Sequence, residues 1–161
     1  MSTQPSLEKL RQKLNLKRYL EELAVLTGRT VLGDELGGLE LAVAIREASQ
    51  KFATYTSASF EIPFSDRCSA RFRQFVQKLH KANPTSVYLW TPRTIDCGVL
   101  LVPSLDVVKF DFDFDVNEEG ILVLLSSDLV DRLLLDFSKS CTGEERMTVE
   151  SQGINWMHVD Y

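Results

Sequence analysis

The chain has 161 residues, 44% of them hydrophobic, which suits one domain with a real core that needs neither disulfides nor metal. The net charge is −5, yet residues 1–82 hold 13 Lys+Arg against 9 Asp+Glu while residues 83–161 hold 5 against 14, so the acidity belongs to the second half. Such a field repels nucleic acid and attracts basic partners, and no apolar run approaches the ~20 residues that span a bilayer.

The opening stretch, MSTQPSLEKLRQKLNLKRYLEEL, is charged and lacks the apolar centre of a secretory signal. It reads as a first helix capped by Ser6, with Leu7, Leu10, Leu14, Leu20 and Leu23 along one stripe. TGRTVLGDELGG breaks that helix and leaves room for a short strand around Val31 and Leu32. LELAVAIREASQKFATY is a second helix. SASFEIPF is a short strand, and Pro63 places it near an edge or an end. Asp66 is in place to cap a third helix whose Phe72, Phe75, Val76 and Leu79 face inward, and Asn83-Pro84 stops it.

The second half is rich in strands. SVYLWT and CGVLLV are separated by the turn-like PRTID. VVKFDFDFD and GILVLLS, joined through VNEE, read as a hairpin. SSDLVDRLLLDF reads as a short helix capped by Ser126 or Ser127, and RMTVES with INWMHVDY as a final hairpin. The expected fold is α+β: a single domain over 1–161, with N-terminal helices packed on one face of a mainly antiparallel sheet formed largely by the C-terminal half.

Three cysteines (Cys68, Cys97, Cys141) are odd in number and widely spaced, which argues for a reducing, cytoplasmic setting. With no CxxC and only His80 and His158, zinc-type spacing is absent. Cys97 with His158 is the one nucleophile–base pair to consider, but Cys97 opens an apolar strand, where buried inert cysteines are common. His80 sits where it favours a helix C-terminus. No GxSxG, HExxH, GxxxxGK[ST] or GxGxxG occurs, so no enzyme and no cofactor is expected.

The unusual feature is KFDFDFD. In an extended chain Phe110, Phe112 and Phe114 share one face, and Lys109, Asp111, Asp113 and Asp115 the other. Unit charges ~7 Å apart repel by roughly 0.6 kcal/mol in water, and by more near a protein surface. A solvated face that blocks edge pairing is one use of such a row. A divalent-metal site is another, with Asp111 and Asp113 helped by Glu118 or Glu119. The calcium-loop pattern fails, however: counting from Asp111, its glycine and glutamate positions hold Val116 and Leu122. A third use is recognition. Asp111, Asp113, Asp115, Glu118 and Glu119 form an acidic strip, which Asp128, Asp131 and Asp136 would extend. Tyr88, Trp90, Trp156 and Tyr161 are candidate aromatic anchors for it, and Arg93 either contacts a partner or pairs with an acid of the next strand.

In character rather than motif, this acidic chain resembles small cytosolic inhibitors and immunity proteins that neutralise basic nuclease toxins. That resemblance implies a bacterial antitoxin-like binder acting by stoichiometric contact with a basic protein, without nucleic acid or membrane. A metal-dependent enzyme and a scaffold subunit of a larger assembly are the alternatives, and the oligomeric state is open.

Overall fold

The structure is a computed structural model and describes residues 4–161. The first three residues, part of the reading against a secretory signal, lie outside it. Helix α1 (Gln4–Thr27) is followed by a 3-10 turn at Gly33–Glu35, α2 (Leu39–Ser49) and a second 3-10 turn at Gln50–Thr54. Then come β1 (Ser57–Pro63), a 3-10 turn at Phe64–Cys68, α3 (Ala70–Ala82), β2 (Val87–Trp90), the single turn α4 (Thr94–Cys97) and β3 (Leu100–Val102). After a 3-10 turn at Leu105–Val107 and a long irregular stretch the chain finishes with β4 (Ile121–Ser126), β5 (Asp131–Lys139), β6 (Glu145–Gly153) and a 3-10 turn at Trp156–His158.

The six strands make one antiparallel sheet in the order β1-β6-β5-β4-β2-β3. The α+β class is therefore as expected: helices in the first half, a sheet built mostly by the second. β1 is an edge strand, and Pro63, which has no N–H to give a ladder, ends it. The main core lies on one sheet face, where Leu122, Leu124, Leu133, Leu135, Met147 and Val149 meet α1 and α3. A smaller cluster of Ile45, Phe52, Val99 and Leu125 joins α2 and its 3-10 extension to the sheet. Consecutive strand residues point to opposite faces, so Leu124 and Leu125 belong to opposite sides.

α3 follows from its sequence. The Ser69 hydroxyl accepts the Phe72 N–H at 3.1 Å, so the N-cap is Ser69 and not Asp66. Phe72, Phe75, Val76 and Leu79 are all buried, each adding about 1.5–3 kcal/mol over an exposed position. α1 follows the expected stripe only in its second half, where Leu20 packs against the core and Leu23 is buried. It is already helical at Gln4, ahead of Ser6, and Leu7, Leu10 and Leu14 are exposed. Tyr19, Glu22 and Leu26 join Leu23 at helical spacing as the buried stripe, turned away from Leu7, Leu10 and Leu14.

Four further readings are corrected. SSDLVDRLLLDF is not a helix: it supplies the β4–β5 turn and then β5, in which Asp131, Leu133, Leu135 and Phe137 are buried on alternate positions. Pairing on both sides, with β4 and β6, outweighs the helix propensity of its leucines. INWMHVDY is not the return arm of a hairpin but a 3-10 turn whose Trp156 is buried, with its Nε1 donating to Leu79 O at 3.0 Å. The glycine-rich segment after α1 forms a 3-10 turn in place of a strand. VVKFDFDFD is not a strand and makes no hairpin with GILVLLS, because β4 already has β2 and β5 as neighbours.

Asp131 does not extend any acidic surface. It is fully buried at the start of β5, where its carboxylate accepts from Asn83 Nδ2 (2.7 Å), Asn155 N (2.8 Å), Asn155 Nδ2 (2.8 Å) and Trp156 N (3.0 Å). It thereby joins the end of α3, β5 and the C-terminal turn. Gly153 makes this possible: φ is +112° there, and a Cβ would lie 2.6 Å from an Asp131 carboxylate oxygen.

Candidate functional site

Residues 108–119 cross the core face as an irregular chain, and the alternation in the sequence still decides which way its side chains point. Phe112 is fully buried, Phe110 is buried and Phe114 half-buried. Their rings meet Phe64, Phe72 and Phe137 at centroid distances of 5.1–5.9 Å. Asp111, Asp113 and Asp115 are exposed on the opposite side.

Bonds from outside the segment replace the missing ladder. Lys109 N donates to Leu26 O at 2.7 Å, tying the chain to the last turn of α1. Arg67 Nε donates to Phe112 O at 2.7 Å while its guanidinium lies 4.0 Å above the Phe64 ring. Val116 N donates to Asp113 O at 3.0 Å, closing a turn. Buried Asn117 then organises the exit: its Oδ1 accepts the N–H groups of Glu119, Gly120 and Ile121, and its Nδ2 donates to Ile121 O at 2.8 Å. The loop is therefore clamped at both ends and anchored by aromatic rings, with five carboxylates on its outer surface.

The cations meet this loop unevenly. Arg93 immediately precedes α4, which is fixed to α1 by the Tyr19 hydroxyl donating to Gly98 O (2.7 Å) and lying 3.0 Å from Thr94 Oγ1. Burial raises the Tyr19 pKa, so this hydroxyl stays protonated. Arg93 does not pair with an acid of the next strand. Its Nη1 donates to Glu22 Oε1 at 2.8 Å, its Nε to Asn15 Oδ1 at 2.9 Å and its Nη2 to Glu118 Oε1 at 3.2 Å. Glu22 lies on the buried stripe of α1, and its other oxygen, Oε2, has no hydrogen-bond partner. Burial raises the Glu22 pKa, outweighing the opposing pull of Arg93. Among the described residues, no cation lies within ion-pair distance of Asp111, Asp113, Asp115 or Glu119.

Between α1 and the loop lies a cleft of about 290 Å³, lined by Glu21, Glu22, Asp113, Asp115 and Glu118 together with Arg18 and Arg93. The structure thus brings together Arg93, Asp113, Asp115 and Glu118 of the residues singled out in the sequence. Asp111 opens instead on a neighbouring groove with Arg67, Arg73 and Lys109, and Glu119 is exposed beyond the cleft. Trp90 is elsewhere: it is half-buried against the Ile45–Phe52 cluster on the second sheet face. Asp111 and Asp113 line different clefts, and among the described residues no group of three or more His, Cys, Asp or Glu side chains is close enough to hold a metal ion.

Cys97 and His158 do not meet. Cys97 ends α4 with Asn15 Nδ2 3.5 Å from its sulfur, and His158 ends the last 3-10 turn. Burial and the adjacent Asp96 raise the Cys97 pKa, which works against thiolate formation. His80 pairs with Asp106 at 3.5 Å. The residue that sequence reading missed is Glu22. Its signal was present: a carboxylate inside the Tyr19–Leu23–Leu26 stripe must find a partner, and Arg93 is that partner. Comparison of the chain with protein-family models, with curated proteins and with solved structures gave no match.

Proposed function

We propose that this is a non-catalytic binding protein that captures a basic protein, acting as an immunity-type inhibitor of a nuclease-like toxin domain in the cytoplasm. The observation that carries the reading is the loop at 108–119. It presents a row of carboxylates on a segment fixed by buried rings and by the Asn117 clamp, so little conformational freedom is lost when a cationic surface docks. The row repels itself, and a complementary surface relieves that repulsion. Complementary charge raises association rates by ~10–10³-fold and rejects like-charged proteins. Among the described residues no helix is long and apolar enough to cross a membrane, which fits a partner met in solution.

The test is affinity capture from lysate at low and high salt, followed by association kinetics with the recovered partner. Asp111→Asn, Asp113→Asn and Asp115→Asn combined preserve shape and remove three charges. The expected result is slower association with a shallower salt dependence. A triple variant that associates at the wild-type rate at every salt concentration would overturn the reading.

A further inference from the structure

We infer that the cleft between α1 and the acidic loop is a receptor for one arginine side chain of the bound partner. This deepens the proposed function and rests on it. Five carboxylates and two guanidiniums line the cleft, so its formal charge is negative before anything enters. An acidic cluster alone would say little, but the floor adds an independent feature. The Glu22 side chain is only 6% exposed, and its Oε2 is buried without a hydrogen-bond partner while Oε1 is held by Arg93. A buried carboxylate oxygen lacking a donor is costly, and a charge-assisted donor relieves that cost. Asp113 and Asp115 stand at the rim without cations of their own, each an acceptor for the same entering group.

A guanidinium suits this arrangement better than an ammonium does. It is planar and carries five N–H donors in a fork, so it reaches a floor acceptor and rim acceptors from one position. The volume of about 290 Å³ suits a side chain more than a larger organic ligand. Glu118 and Arg18 border the cleft with side chains 78% and 55% exposed, and the resident Arg93, 15% exposed, is bonded to Glu22, Asn15 and Glu118.

The probe is L-arginine amide, titrated into the intact ¹⁵N-labelled protein at neutral pH, with L-citrulline amide as the uncharged isostere. The expected result is saturable shifts of the backbone amides of residues 113–118 with arginine amide and none with citrulline amide. Glu22→Gln should weaken that binding at least tenfold, and so should the exposed pair Asp113→Asn with Asp115→Asn, whose folding is not in question. Absence of saturable shifts, equal response to citrulline amide, or wild-type affinity in both variants would overturn the inference. If arginine amide fails while the triple aspartate variant still slows partner association, the cleft is refuted and the acidic face stands. If the triple variant associates at the wild-type rate, the face itself is refuted, and the arginine receptor with it.

Discussion

Asp131, Phe112 and Glu22 are each buried, and each makes a different demand on the fold. Asp131 satisfies four donors at once, so Asp131→Ala strands them together. Its cost should be on the order of 3 kcal/mol or more, read as a lower urea midpoint with an unchanged slope. Phe112→Ala removes a fully buried ring that touches Phe64 and Phe137, and should cost about 3–5 kcal/mol by the same measurement. A loss below ~1 kcal/mol would mean that the loop is not anchored as described. Glu22 acts through pH. Its folded pKa is raised above the ordinary 4.5, so the fold prefers its protonated form. The stability contributed by that protonation is present below the unfolded value and is lost as pH rises through the folded one. Glu22→Gln stays neutral throughout. Its stability relative to wild type should therefore climb with pH across that window and level off above it. Parallel denaturation profiles for the two proteins would contradict the assignment.

At the scale of elements, α3 was legible because one property decides it: Phe72, Phe75, Val76 and Leu79 recur at helical spacing and all four are buried. β5 was not, because Leu129, Leu133 and Leu134 fit a helical spacing as well as the alternation of Leu133, Leu135 and Phe137 fits a strand. Only the neighbours on both sides settle which pattern is used. The phenylalanine–aspartate run shows a third case. Alternation correctly separated buried from exposed side chains, but it reports an extended backbone and says nothing of what that backbone bonds to. Here the partners are Leu26, Arg67 and Asn117, none of them a ladder. Two predictions belong to this element. Replacing Asp111, Asp113 and Asp115 together by Asn should leave thermal stability level or slightly higher, since exposed like charges are removed and no carboxylate hydrogen bond is lost. Gly120→Ala should destabilise, because φ is +67° there and a Cβ would lie 2.3 Å from Phe137 O. A melting temperature equal to wild type would show that the turn can relax without cost.

For the molecule as a whole, the charge division seen in sequence survives in space as a basic helix beside an acidic loop, linked by Arg18, Arg93 and Glu118. The cleft they enclose could not be read from spacing, since Glu22 and Arg93 are 71 residues apart and meet where the Tyr19 hydroxyl holds α4 against α1. α1 itself is divided. Residues 6–14 are all exposed, leucines included, whereas Tyr19, Leu23 and Leu26 are sealed in the core. A half-helix with no buried side chain is marginal in water, while the packed half unfolds only with the core. Hydrogen exchange should therefore record two clocks on one helix. Amides before Asn15 should exchange at rates close to those of an isolated peptide helix, and those from Leu23 onward at the rate of global opening, with the break near Leu16. Uniform protection along α1 would mean that something covers the exposed leucines.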